Sequence, residues 1–304
     1  MLPFERVSII GLGLIGSSIA RAVRAAMPTV RLTGHDVSAE VLETVRALKL
    51  CDDVADTAGA AVIDADLVIL CVPVGAIGDV AATFAADVPP AAIISDVGSS
   101  KAGVADALAK ALPKNIIVPA HPVAGTERSG PEAGFAALFH QRWCILTPAP
   151  GTPEAAVARV STFWERLGSN VELMDPAHHD LVLAITSHLP HLIAYTIVGT
   201  ASDLESVTQS EVIKYSAGGF RDFTRIAASD PIMWRDVFLT NKDAVLEMLQ
   251  RFSEDLTALQ RAIRWGDGDA LFELFTRTRA VRRSIIEQGQ DDARPDFGRA
   301  DHGC

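Results

Sequence analysis

The chain has 304 residues, 49 % of them apolar and 21 % charged, enough for two domains with a sizeable core. Its net charge is −11 and no dense Lys/Arg stripe occurs, which excludes nucleic acid or an anionic membrane as the expected partner. An anionic ligand must be held by a few local cations against the field of the whole.

The N-terminal MLPFERVSIIG carries early charges and runs straight into a strand, so it does not read as a signal peptide. VSIIG (7–11) predicts that strand, and LIGSSIARAVRAAM has helical spacing. RLTGHD (31–36) reads as a second strand, and SAEVLETVRAL as a helix opened by a Ser38 N-cap. DLVILCVP (66–73), AAIISDV (91–97) and NIIVPAHP (115–122) are continuous apolar runs, as expected of strands buried on both faces, with helical segments between them. WCILTP (143–148) and NVELM (170–174) predict two more strands around a helix at 153–167. The alternation indicates an α/β fold, a doubly wound parallel sheet of Rossmann type.

After Asp175 the strand signal ends. Helices are expected over 176–202, 206–216, 219–228, 231–239, 241–265 and 268–288, followed by a disordered tail at 289–304. The implied division is an α/β domain over 1–174 and an all-helical domain over 175–288. Residues 181–201 are long and apolar enough to cross a bilayer, but two histidines and a proline sit at their centre, and neither an aromatic belt nor basic flanks are present. The expectation is a buried helix in a soluble domain. Cys51, Cys71, Cys144 and Cys304 form no CxxC pair, which points to a reducing, cytoplasmic compartment.

Gly11, Gly13 and Gly16 form a G-x-G-x-x-G that follows a strand and opens a helix. In that setting the first glycine permits a tight turn, the second lets backbone approach a pyrophosphate, and the third lets helix and strand pack closely. Leu14 and Ile15 lie in the same helical turn. Asp36 follows Gly16 by twenty residues at the end of the second strand, where a carboxylate accepts from a ribose 2′-hydroxyl and repels a 2′-phosphate. The next residues bring no Arg or Lys, so the expected cofactor is NAD rather than NADP. Val72 and Pro73 close a third strand end at the same crevice.

Two further strand ends carry polar residues, SDVGSSK (95–101) and PAHPVAGTERSG (119–130). A histidine there, His121, can take a hydroxyl proton as hydride leaves the same carbon, or can simply hydrogen-bond the loop. In the helical half, His188 and His191 of SHLPH share a face, with Tyr195 a turn later, and Pro190 should kink the helix. A metal site there, with His178 or His179, is not expected, because no carboxylate stands at ligand spacing on that face. Arg221 and Arg225 lie a turn apart and need anions, either Asp222 or a substrate carboxylate.

GLGLIGSS, DVGSSK, HPVAGTERSG, SHLPH and GGFRDFTRIAASDPIMW, in this order over about residues 6–286, resemble the prephenate and arogenate (cyclohexadienyl) dehydrogenases of tyrosine biosynthesis. The resemblance implies an NAD-binding Rossmann-type domain, a helical domain that forms a homodimer, and oxidative decarboxylation of prephenate to 4-hydroxyphenylpyruvate or of arogenate to tyrosine. By position it implies that His121 is the catalytic histidine, that Ser99 lies near the substrate hydroxyl, that His191 binds substrate, and that Arg225 holds a carboxylate. Thr126, Glu127, Gly218, Arg221, Asp222 and Trp234 match the surrounding shell. Ser100 stands where Val is common, and Val123 where Met or Ile is common. With His191 and Arg221 offered as donors, prephenate is the expected substrate, and arogenate or both are the alternatives. No chorismate mutase segment precedes the fingerprint and no room remains after 288 for a regulatory domain, so a monofunctional chain is expected. Other two-domain dehydrogenases, of the β-hydroxyacid or imine-reductase kind, resemble only the first 100 residues. A nucleotide-sensing protein without chemistry is disfavoured by the presence of His121, Ser99, His191 and Arg225 together.

Overall fold

A computed structural model of the chain describes residues 2–126, 128–208 and 218–287. Glu127, most of the expected helix 206–216 and the expected tail lie outside the described residues.

Six strands, β1 (Arg6–Ile10), β2 (Arg31–His35), β3 (Asp53–Val54), β4 (Leu67–Leu70), β5 (Ile93–Asp96) and β6 (Ile116–Ile117), form a parallel sheet in the order β3-β2-β1-β4-β5-β6. The uninterrupted apolar runs are explained by two-sided burial. Val7, Ile9, Leu32 and Ile69 pack into one cluster with Phe163 and Trp164, whereas Ile10, Val68, Leu70 and Ile94 face the other side with Phe84 and Trp234. The chain leaves β1 outward in one direction and returns at β4 to build the other half. The strand order therefore reverses between β1 and β4, and a crevice opens at their C-terminal ends.

The expected single sheet ends earlier than the sequence suggests. The run NIIVPAHP breaks at Pro119, whose missing N–H interrupts the ladder. Its second part, β7 (Ala120–Pro122), turns away to pair antiparallel with β8 (Trp143–Leu146), which pairs parallel with β9 (Asn170–Leu173) in a separate three-stranded sheet.

Beyond Asp175, which caps the next helix by accepting from Ala177 and His178 N–H, the described elements are helical. The expected helix 176–202 is α-helical over Pro176–Leu183, forms a π-turn over Ala184–His188 in which Leu189 N–H reaches the Ala184 carbonyl, and resumes over Leu189–Thr208. Pro190 has no N–H for the regular ladder, so the expected kink takes the form of this widened turn. Helix Gly218–Thr224 tightens into a 3₁₀ turn at Arg225–Ala228, and helices Pro231–Thr240, Lys242–Trp265 and Gly268–Glu287 follow. The change from mixed to helical structure falls near residue 174. By compactness the chain divides elsewhere: Met1–Val245 form one unit, and a second begins at Leu246.

The long apolar helix is less enclosed than expected. Only 28 % of its most apolar window is buried, and Leu181, Ile185, Ile197 and Val198 are exposed.

Candidate active site

The glycine loop after β1 lies against the end of β4. Gly11 donates to the His35 carbonyl at 2.8 Å, and Cys71 donates to the Ile10 carbonyl at 2.6 Å. Gly11 has φ +96°, and a Cβ on Gly16 would fall 2.0 Å from the Gly11 carbonyl oxygen, so neither position admits a side chain. At Gly13 a Cβ would meet nothing within 4 Å. That open space lies at the N-terminus of helix Leu14–Ala26, which no side chain caps. A cradle with free room above uncapped N–H groups fits a pyrophosphate. Leu14 and Ile15 in the first turn are half-buried, as is Val72, and Pro73 is exposed. Asp36 is tied into the loop: its carboxylate accepts from Leu12 N–H at 2.8 Å and from Ser38 N–H at 2.9 Å.

A second polar cluster lies where β5 and β7 end. His121 is buried, with its backbone in register with Ile145 of β8. Its Nδ1 lies 2.9 Å from Nε2 of His179, whose Nδ1 lies 2.8 Å from Oδ1 of Asp180. The Asp180 carboxylate also accepts from the N–H groups of Lys101 (2.7 Å) and Ala102 (3.0 Å), at the start of helix Ala102–Ala111. Lys101 itself is fully buried and ion-paired with Asp96, and its Nζ donates to the Ala120 carbonyl at 2.8 Å. The Lys101–Asp96 pair thus ties the end of β5 to the start of β7.

Burial sets the charge states here. It pushes the pKa of His121 well below the ordinary histidine value, with His179, Lys101 and His188 adding repulsion. It lowers His179 too, against the opposing pull of Asp180, and brings His188 down to about 4. For Asp180, burial pushes upward but is outweighed by the hydrogen bonds from His179, Ala102 and Lys101, so the carboxyl stays below its ordinary value and ionised. All three imidazoles are neutral at pH 7.

The helical side adds an aromatic group. His191 stacks on Trp234 with ring centroids 3.7 Å apart, and His188 meets the same indole edge-on at 6.1 Å. His188 Nδ1 lies 3.1 Å from Nδ2 of Asn241, which also donates to the Asp180 carbonyl. His191 Nδ1 lies 2.8 Å from the Ser187 carbonyl, so it carries the proton, and the neutral ring presents Nε2 as an acceptor. The expectation that His191 donates to substrate is therefore corrected. Trp234 Nε1–H has no acceptor among the described residues.

Comparison with known proteins settles the family. Residues 19–173 match the family profile "Prephenate dehydrogenase, nucleotide-binding domain", and residues 175–277 match "Prephenate dehydrogenase, dimerization domain". Cyclohexadienyl dehydrogenase of Zymomonas mobilis is 48 % identical over 97 % of this chain and 100 % of its own length. The chain belongs to the prephenate dehydrogenase family. Prephenate dehydrogenase of Bacillus subtilis is 35 % identical over 92 % of this chain and 76 % of its own length. The crystal structure of Aquifex aeolicus prephenate dehydrogenase with hydroxyphenyl propionate and NAD+ superposes with a TM-score of 0.87 at 35 % identity, covering 92 % of this chain and 98 % of that one.

Within this family member, the sequence-derived candidates fall into four groups. The glycines, Asp36 and Val72 meet at the crevice. His121 shares a cluster with His188, whose ring faces the backbone of half-buried Ser99. His191 and Trp234 stack, and the charge of Arg225 acts on His191. Thr126, Gly218, Arg221 and Asp222 are exposed, and Arg221 pairs with its neighbour Asp222 at 3.2 Å. Sequence reasoning passed over Lys101, Asp96, Asp180 and Asn241. For Lys101, Asp96 and Asp180 the signal was a charged residue set beside an apolar run, where an unpaired charge could not be buried; the uncharged Asn241 gave none.

Proposed function

We propose that the protein catalyses the oxidative decarboxylation of prephenate to 4-hydroxyphenylpyruvate, with NAD as hydride acceptor. The observation that carries this reading is His121: a buried, neutral imidazole at a strand end, with Nδ1 engaged and Nε2 free of hydrogen bonds among the described residues. Such a nitrogen is a base for a substrate hydroxyl. Gly11, Gly13 and Gly16 would hold the pyrophosphate and Asp36 the ribose, and NAD, when bound, supplies the hydride acceptor. His121 takes the 4-hydroxyl proton, with Ser99 beside that hydroxyl. Arg225 holds a substrate carboxylate, and Thr126, Glu127, Gly218, Arg221 and Asp222 complete the surroundings. The ring gains aromaticity as CO2 leaves, so orientation and deprotonation suffice for the protein's part.

A second reading, activity on both prephenate and arogenate, is favoured by the pairing of His191 with Trp234. Nε2 of His191 is an acceptor suited to an ammonium, and the indole N–H beside it is a donor suited to a keto group. The similarity to a protein named cyclohexadienyl dehydrogenase supports it. Steady-state assays of NADH formation with each substrate test both readings: turnover of prephenate is expected, and no NADH from either substrate would refute the proposal.

We further propose residues 1–174 as the nucleotide-binding domain and 175–288 as the substrate-binding and dimerisation domain, in a homodimer located in the cytoplasm. The matched profiles meet between residues 173 and 175. The exposed Leu181, Ile185, Ile197 and Val198 offer apolar surface for a second copy, as do Trp265 and Phe272, each more than 70 % exposed.

A further inference from the structure

The chain His121–His179–Asp180 has a direction. Ionised Asp180 can only accept, so the proton between it and His179 sits on His179 Nδ1. His179 is neutral, so its Nε2 bears a lone pair. The 2.9 Å contact with His121 then requires the proton to be on His121 Nδ1. That leaves the lone pair of His121 on Nε2, the nitrogen without a hydrogen-bond partner among the described residues. The two imidazoles meet edge-on at 71°, with Nδ1 of His121 and Nε2 of His179 at the contact.

We propose that His179 and Asp180 are positioning residues that fix the tautomer of His121, so that its Nε2 is always the base. The proposal rests on the reading of His121 as the proton acceptor. Asp180 is suited to the task because its other bonds hold it in place. The N-terminus of helix Ala102–Ala111 donates two N–H groups to it, and that helix's dipole favours its negative charge. Lys101 and His188 also face His121, and Asp96 and Cys144 lie close to Lys101. Lys101 is held by Asp96 and the Ala120 carbonyl, and His188 by Asn241, so His179 is the direct partner of the Nδ1. When substrate gives its proton to Nε2, His121 becomes an imidazolium whose Nδ1–H already points toward Asp180 through His179. No redox or covalent step is added; one proton moves from the substrate oxygen to Nε2.

Three variants and one spectrum test this. His179→Phe keeps an aromatic ring, somewhat larger and without an acceptor, and should lower kcat by about 10- to 1,000-fold, with both KM values within about twofold. His179→Gln puts a carbonyl where Nε2 stood and should recover kcat to within about fivefold of wild type. In ¹⁵N-histidine-labelled wild-type protein, His121 should show the Nδ1–H tautomer at pH 7.5, a readout that does not depend on a variant folding. Normal turnover in His179→Phe, no recovery in His179→Gln beyond a well-folded His179→Phe, or an Nε2–H tautomer at His121 would each overturn the proposal. His121→Asn separates the two levels of argument. If it retains turnover, the base assignment itself fails; if it is inactive while His179→Phe is not, the positioning role alone fails.

Discussion

Neutral histidines buried beside one another make the stability of this protein sensitive to acid. His188 titrates near 4 when folded and near 6.5 when unfolded, and burial displaces His121 and His179 in the same direction. Between those values the unfolded chain binds protons that the folded chain does not, so stability rises with pH across the window and is lost as pH falls through it. His188 alone accounts for about 3 kcal/mol at full effect, since one pKa unit corresponds to about 1.4 kcal/mol. Urea midpoints should hold from pH 8 to about 7 and fall steadily toward about 4.5; a flat profile over that range would contradict the assignment. Asp36 makes a second residue-level prediction. Asp36→Ser with Val37→Arg should shift preference from NAD toward NADP. Because Asp36 also accepts from Leu12 N–H, the exchange should cost some affinity for either cofactor. A wild-type protein already faster with NADP would refute the role of the carboxylate.

The elements differ in how far the sequence disclosed them. The parallel strands were legible because two-sided burial writes an unbroken apolar run, as LVIL and IISD do. The split of NIIVPAHP was not, since a strand that changes partners at Pro119 has the same composition as one that continues. The π-turn announced itself only as Pro190 in an apolar helix. At the site, the glycines were legible because their chemistry depends on local spacing; His121 was legible only as a polar residue at a strand end, and its proposed role came from the resemblance. The bonds of Asp180 were not legible, because the N–H groups of Lys101 and Ala102 that it accepts from are distant in sequence. The glycine loop gives a test that separates packing from binding. Gly16→Ala places a methyl against the Gly11 carbonyl and should destabilise the fold by about 1–3 kcal/mol or more. Gly13→Ala meets nothing within 4 Å among the described residues, so it should leave the melting temperature within about 1–2 °C while weakening NAD binding at least about tenfold. Equal effects of the two substitutions on stability and on NAD binding would refute this division of roles.

At the scale of the whole molecule, apolar surface left uncovered in one chain argues for assembly. Light scattering should give about 65 kDa, twice the chain mass of 32.3 kDa, at micromolar concentration. A value near that of one chain across that range would refute the dimer. The separate small sheet has a consequence for how such a protein can change over time. His121 stands on a strand registered with Ile145, whereas the residues that follow Pro122 leave the ladder after a single bond from Val123 to Trp143. The proposed base is therefore anchored to framework, and the stretch that follows it is not. On the proposed reading, substitutions after Pro122 can alter the surroundings of the substrate while the strand that carries His121 keeps its register.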